Sequence, residues 1–324
     1  HVFTLRQYLL ALLDSRGLTR TLGEIDVCRD EQGRPCFSAG NSAAVFRIRL
    51  GGRIRSLRCY LRPMRHLKEI YGQRLLEKEL YLHTSPETGV WVDTVLGDWI
   101  EGSTLHETVA QAAALRDRES LQILVRLFDR LALALVTDNR AHGDLKPENI
   151  IVGDDGTLCP IDFDASYLPA FAGEISPELG TAAYQHPART AADFDERIDD
   201  YPAALISTAL HALAEDPTLW DRYGSSDGLL YTPQRIASDP AYRETLALFE
   251  KRGMAVQYRI AQLLTAPTLR LFGLAELLAE AVREKPAARS GMEAETPELF
   301  VENGRWGYRT AERVVVAPLY DNGF

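Results

Sequence analysis

Lysine is scarce in this 324-residue chain: Lys68, Lys78, Lys146, Lys251 and Lys285 are the only five, and the other 31 of the 36 basic residues are Arg. A lysine in a motif slot is therefore seldom accidental. Cysteine is scarce too, and Cys28, Cys36, Cys59 and Cys159 form no C-x-x-C pair. That excludes a zinc-finger frame and argues for reduced thiols rather than disulfides. Positive charge is in deficit, 36 bases against 46 acids for a net −10, so nucleic acid is not expected as a ligand. No apolar run has the length of a membrane span and no charged-then-apolar leader pattern is present, so no membrane contact and a cytoplasmic location are expected. With 46% hydrophobic and 25% charged residues the chain is no disordered polymer, and its length suits two lobes with real cores.

What is present falls into two textures. Residues 4–14 read as a helix after a Thr4 cap. Short β-like runs follow at Glu24–Cys28 and Pro35–Ser38. Alternating runs at Ala44–Leu50 and Arg53–Tyr60 flank Gly51-Gly52, a hairpin signal. Residues 64–83 look helical, with Leu67, Ile70, Leu75, Leu76 and Leu80 as buried positions. Trp91–Ile100 is strand-like. A long apolar helix is expected from Arg116 to Asp138. Ile150–Val152 and Leu158–Phe163 flank Gly153-Asp154-Asp155-Gly156, a second hairpin, and 199–283 is mainly helical. A small β-rich half before a larger helical half is an α+β pattern.

The segment His142-Gly143-Asp144-Leu145-Lys146-Pro147-Glu148-Asn149 sits between the long helix and the second hairpin, whose second strand ends in Asp162-Phe163-Asp164. Phosphoryl transfer needs a carboxylate to orient the attacking hydroxyl and metal ions to neutralise developing charge. Asp144 suits the first role; Asn149 and Asp162, hard oxygen donors, suit Mg²⁺. Lys146 can reach a transferring phosphoryl group. The hairpin places Asn149 and Asp162 side by side. His142 is expected to be structural.

These strings resemble those of the Ser/Thr protein kinases, with H-x-D-L-K-P-E-N as the catalytic loop and D-F-x behind it. The resemblance covers about residues 35–284. It implies a bilobal kinase-like α+β fold, a bacterial-type Ser/Thr kinase activity, ATP and Mg²⁺ as cofactors, and a protein substrate. Gly180–Pro187 resembles the end of an activation segment, with Thr181 bonded to Asp144 and Lys146. Asp199-Asp200-Tyr201 resembles the start of the central helix, Asp199 bracing the catalytic loop. Val95–Gly102 resembles the hinge, with the Asp98 carbonyl and Ile100 amide facing adenine. ATP would lie under residues 38–45. The implied organisation is an extension 1–33, a small lobe and hinge 34–102, a large lobe 103–284, a linker 285–297 and a repeat start 298–324.

The departures are specific. The glycine-rich loop G-x-G-x-x-G-x-V corresponds to Ser38-Ala39-Gly40-Asn41-Ser42-Ala43-Ala44-Val45, which keeps only the middle glycine. Arg58 stands at the strand lysine of V-A-I-K, and Arg is longer and planar. Its helix acid is Glu69 or Glu77. Gly143 replaces the arginine of regulated kinases, Asp164 the glycine of D-F-G, and Ala188 the glutamate of A-P-E. The segment Asp162–Pro187 contains no Arg or Lys, so it is expected to be held by packing through Tyr167, Leu168, Phe171 and Leu179 rather than by phosphate. A pseudokinase and, further off, a small-molecule kinase are the rival readings. Val301–Tyr308 with Val314–Asp321 resembles one WG repeat; one repeat cannot bury its own face, so further repeats and a protein partner for them are expected.

Overall fold

The computed structural model describes residues 2–284 and, of the remainder, the backbone of three strands, 298–302, 305–309 and 314–316. The chain divides into two units, with the break between Ile100 and Glu101.

The first unit begins with α1 (Leu5–Leu13). Its capping box is formed by Thr4 and Gln7: the Gln7 amide donates to Thr4 Oγ1 at 3.3 Å and the Thr4 amide donates to Gln7 Oε1 at 2.9 Å. There follow β1 (Asp26–Val27), β2 (Phe37–Ala39), β3 (Ala43–Leu50), β4 (Arg53–Tyr60), a short α2 (Leu67–Tyr71), β5 (Leu75–His83) and β6 (Gly89–Asp98). The strands form one antiparallel sheet in the order β1-β3-β4-β6-β5, and β2 also pairs with β3. The β3–β4 hairpin turns at Gly51-Gly52 with Leu50 opposite Arg53, as the sequence suggests.

Residues directly opposed in an antiparallel sheet share a face. Ala44, Phe46, Ile48, Leu57, Cys59, Leu80, Leu82 and Val92 make the buried face, and they pack with Tyr8, Ala11 and Leu12 of α1. Each buried Leu, Ile, Val or Phe among them contributes about 1.5–3 kcal/mol by leaving water. The other face carries the row Ser38, Val45, Arg58 and Val95, matched strand to strand across β2, β3, β4 and β6.

The helix expected over 64–83 is not formed. It is confined to α2 and one 3₁₀ turn (Gly72–Arg74), and Leu75–His83 is strand β5 paired with β6. Main-chain bonding to β6 outweighs the helical spacing of the leucines. The strand is bulged between Leu76 and Leu80, where Lys78 has φ 52°, and the bulge resets which side chains face inward. Glu79 is buried there and accepts the amides of Arg20, Thr21 and Leu22 at 3.1, 2.9 and 2.8 Å, which fixes the loop after α1.

The second unit opens with β7 (Gly102–Thr104), α3 (Leu105–Ala114) and α4 (Arg118–Thr137). The hairpin of β8 (Ile150–Gly153) and β9 (Leu158–Pro160) follows, and β7 pairs with β8. Then come α5 (Asp200–Glu215), α6 (Leu219–Tyr223), α7 (Pro240–Arg252), α8 (Ala255–Leu263) and α9 (Leu274–Arg283). The apolar faces of α4 and α5 form the centre of its core. Buried Asp129 of α4 joins them, accepting Ser207 Oγ at 2.6 Å and lying 2.7 Å from His211 Nε2 on α5. A sheet-rich unit followed by a helical one is the α+β, kinase-type class expected. No helix among the described residues is long and apolar enough to cross a membrane.

Toward the end of the chain, β10 (Glu298–Glu302), β11 (Arg305–Arg309) and β12 (Val314–Val316) form an antiparallel meander. The linker 285–297 and the end of the expected WG repeat, including Pro318, Tyr320 and Asp321, lie outside the described residues.

Candidate active site

The site is built on the loop between α4 and β8. His142 is 0% exposed. The Asp144 amide donates to its Nδ1 at 3.2 Å, so the ring proton is on Nε2, which donates to the Ile161 carbonyl at 2.8 Å. His142 is thus a strut between the loop and the strand that leads to Asp162. Asp199, also 0% exposed, accepts the amides of His142 and Gly143 at 2.5 and 3.0 Å. Of the two adjacent acids, Asp199 braces the loop. Asp200 instead accepts the Leu271 amide at 3.1 Å, and burial pushes its carboxyl up to about 6.

The loop presents Asp144. Its Oδ1 accepts the Thr181 amide at 2.6 Å, and its Oδ2 accepts Asn149 Nδ2 at 3.2 Å and lies 3.5 Å from Lys146 Nζ. Lys146 Nζ donates to Thr181 Oγ1 at 2.8 Å. Asp144, Lys146, Asn149 and Thr181 therefore form one connected group, with a carboxylate held by two hydrogen-bond donors beside the Lys146 cation.

Asn149 also donates from Nδ2 to the Asp144 carbonyl at 2.9 Å. Its nitrogen is committed, so its amide oxygen is the ligand it has to offer. The Ile161 amide donates to the Asn149 carbonyl at 2.8 Å, which puts Asp162 one residue from the Asn149 crossing. Asp162 has φ 67°, a left-handed backbone that costs a non-glycine residue about 1–2 kcal/mol. Among the described residues no three His, Cys, Asp or Glu side chains form a metal cluster. The pair Asn149 and Asp162 fits Mg²⁺, which takes few protein oxygens and fills its shell with phosphate and water.

The segment after Asp162 is tied down at Tyr167, which exchanges backbone bonds with Ala141 at 2.9 and 3.1 Å. Tyr167, Leu168 and Phe171 are buried, and Tyr167 and Phe171 meet Phe194 with ring centroids 5.2 and 6.3 Å apart. Leu179, expected among these anchors, is 47% exposed and does not serve as one. Its turn is held instead at the Glu178 carbonyl, which accepts Ser176 Oγ, and at the Thr181 amide, which donates to Asp144. Ser166 and Ser176 are buried.

On the sheet unit, the β2–β3 turn closes with the Gly40 amide donating to the Ala43 carbonyl at 2.9 Å. Ser38, Val45 and Arg58 share the sheet face opposite α1; Ala43 lies on that face too, opposite Tyr60. Asp98 ends β6, and its carbonyl accepts Ser56 Oγ at 3.2 Å; Ile100 lies two residues beyond. Glu69 is exposed on α2 and Glu77 is exposed on strand β5, so the expected helix carries at most one of them.

Arg189 was not among the residues singled out from the sequence. It is the sole Lys or Arg between Lys146 and Arg197, a visible signal in an arginine-rich chain. Its side chain reaches the catalytic loop: Nη1 donates to the Gly143 carbonyl at 3.0 Å and to Gln185 Oε1.

A sheet unit followed by a helical one is the α+β layout of the protein-kinase fold, and several protein kinases are similar to parts of the chain. No family model matches the chain. It is similar to CBL-interacting protein kinase 17 of Oryza sativa, 28% identical over 171 residues, 50% of this chain and 35% of that protein. It is similar to the Ser/Thr protein kinase PknL of Mycobacterium tuberculosis, 34% identical over 113 residues, 33% of this chain and 27% of that one. The Ser/Thr protein kinase chk1 of Schizosaccharomyces pombe is 25% identical over 160 residues, 48% of this chain and 31% of the kinase. The chain spans about a third of the length of the curated relatives it matches.

Proposed function

We propose that this chain transfers the γ-phosphoryl group of ATP to a Ser or Thr hydroxyl of a protein substrate, with Mg²⁺. The observation that carries the reading is the Asp144 carboxylate, held by Thr181, Asn149 and Lys146 in one connected group. Asp144 would orient the substrate hydroxyl and take up its proton as the new P–O bond forms and the bond from the γ-phosphorus to the β–γ bridging oxygen breaks, with ADP as the leaving group. Lys146, already beside that carboxylate, would offer positive charge to the oxygens of the transferring group. Asn149 and Asp162 would hold Mg²⁺, whose charge offsets that of the phosphates. Ser38, Gly40, Ala43, Val45 and Arg58 are assigned to the phosphates, and Asp98 and Ile100 to adenine, by resemblance.

The test is transfer from radiolabelled ATP to the protein itself and to a general acceptor such as myelin basic protein or casein. Asp144→Asn should retain nucleotide affinity and lose turnover. Asp162→Asn should lose both Mg²⁺-dependent affinity and turnover, since it removes the metal's charge partner without changing volume. Parent-like turnover in both variants would refute the assignment.

One observation favours the second reading, a pseudokinase that binds nucleotide without efficient transfer. The helix expected over 64–83 is reduced to the five residues of α2, so the sheet unit departs there from the fold the resemblance implies. Parent protein that binds Mg²⁺·ATP without measurable turnover would select that reading.

A further inference from the structure

We propose that Arg189 is a positioning residue that holds the catalytic loop and the segment before it in working geometry, with no phosphate on that segment. The inference rests on the phosphoryl-transfer reading above. It starts from the peptide group between Gly143 and Asp144. The nitrogen of that group donates to His142 Nδ1 at 3.2 Å, and its carbonyl oxygen accepts Arg189 Nη1 at 3.0 Å. One residue earlier, Asp199 takes both amides. The backbone entering Asp144 is thus fixed at its donors and its acceptor, and Arg189 is the side chain that binds the acceptor.

The same guanidinium binds the segment ahead of it in sequence. Nη1 also donates to Gln185 Oε1, and Nη2 makes a longer contact, 3.5 Å, with the Glu178 carbonyl. Between these two partners lie Gly180 and Thr181. Gly180 has φ 72°, and a Cβ there would lie 2.7 Å from the Gly143 carbonyl, so the segment runs directly against the loop. Thr181 then gives its amide to Asp144 and accepts from Lys146. One arginine therefore ties the peptide that aims Asp144 to the turn that delivers Thr181.

The loop itself has no room for such a cation. Gly143 has φ 82°, and a Cβ there would lie 2.0 Å from the Ala165 carbonyl oxygen. The arginine that regulated kinases carry at this place is thus excluded by backbone geometry. Arg189 supplies a cation from the far end of the segment. It is 9% exposed, with Asp199, Asp144, Asp193 and Asp195 as the acids whose field it feels. Ser166 and Ser176 are buried, and Ser166 Oγ donates to the His142 carbonyl at 3.4 Å, so neither serine is presented for modification.

The experiment uses the full chain, treated with phosphatase, and compares the parent with Arg189→Gln, Arg189→Lys and Arg189→Ala. Turnover of the parent should survive the phosphatase. In Arg189→Gln, kcat should fall about 10–100-fold, while KM for ATP stays within about twofold, because the loss is in aim rather than in nucleotide binding. Amide hydrogen exchange in 141–146 and 176–185 should accelerate, with the α4 and α5 amides unchanged. Added guanidinium should restore part of kcat to Arg189→Ala, where a cavity of the right shape is left. Where Arg189→Gln does not fold, Arg189→Lys replaces it; one ammonium cannot reach Gly143, Gln185 and Glu178 together, so the same loss is expected. Parent-like kcat and exchange in the variants would overturn the proposal. So would a loss of kcat that only tracks a lower melting temperature and is not rescued, since a merely structural arginine behaves in that way. A parent without turnover would instead refute the phosphoryl-transfer reading, and the exchange pattern would still decide whether Arg189 clamps the two segments.

Discussion

Gly143→Ala adds one methyl group to the catalytic loop, and its cost can be worked from the structure. The φ of 82° lies in the left-handed region, which costs an alanine about 1–2 kcal/mol relative to glycine. The new Cβ would stand 2.0 Å from the Ala165 carbonyl oxygen. No torsion of the new group relieves that contact, so one backbone must give way by about 1 Å, in an interior as dense as an organic crystal. Gly143 cannot move so far and keep its amide on Asp199 at 3.0 Å. A hydrogen bond to a buried carboxylate is worth about 1.5–3 kcal/mol. Strain and one broken bond together give about 2.5–5 kcal/mol, a large share of the roughly 5–15 kcal/mol that holds a domain folded. Urea unfolding of parent and variant, followed by circular dichroism, measures the difference. The double variant with Asp199→Asn sharpens it: once the Asp199 grip is weakened, the added cost of Gly143→Ala should drop to about 1–2 kcal/mol, the strain alone. A single-variant cost below about 1 kcal/mol, or full additivity in the pair, would refute the reasoning.

Two further outcomes are expected. Arg58→Ala should weaken Mg²⁺·ATP binding and Arg58→Lys should keep or raise turnover, measured by calorimetry and by the transfer assay; unchanged affinity in Arg58→Ala would make it a strand arginine only. Asp200 has its folded-state carboxyl raised by burial from 3.8 to about 6, so its contribution to stability is present in full below pH 3.8 and is lost as pH rises through about 6. The loss is at most about 3 kcal/mol. Asp200→Asn keeps an acceptor for the Leu271 amide, so it should gain on the parent between pH 4 and pH 7 in urea unfolding; an equal difference at both values would refute the shift.

The catalytic loop was legible because its chemistry is local. Asp144, Lys146 and Asn149 lie within six residues, and the Gly153–Gly156 turn brings Asp162 back by antiparallel pairing. Asp199 was legible through its spacing to Tyr201, and the structure separates it from Asp200 by giving each a different backbone donor. The 64–83 stretch was misread for a physical reason. Its leucines repeat at helical intervals, but Gly72 ends α2, and the choice between helix and strand beyond it is made by pairing with β6, which no local pattern contains. Leu179 differs for a similar reason: an apolar residue need not be buried where the Glu178 carbonyl before it and the Thr181 amide after it are the groups the fold holds. Arg189 lies two residues past Pro187, outside every motif slot, and two of its three partners are main-chain carbonyls, which carry no sequence signature.

The costs carried by this site bear on the choice between an enzyme and an inert relative. Asp162 holds a left-handed backbone, Asp199 is a fully buried carboxylate, and Arg189 is a buried cation without a carboxylate in direct contact among its hydrogen bonds. Each is unfavourable by itself, and apolar residues of similar volume would commonly serve stability as well or better. Their effects converge on one point: Asp199 and Arg189 fix the peptide before Asp144, and Asp162 sits one residue beyond the Ile161 amide that binds Asn149. Strain and buried charge gathered around one carboxylate are what a site requires when aim matters more than stability. The weakened features lie elsewhere, on the sheet unit, at Arg58 and the loop that keeps only Gly40. A chain that had ceased to transfer phosphate would have no need to keep Asp144 aimed, and relaxation would be expected first in the loop that is here held most tightly. The imbalance therefore favours transfer with an altered hold on nucleotide, and it predicts that Arg58→Ala acts on affinity while Arg189→Gln acts on turnover.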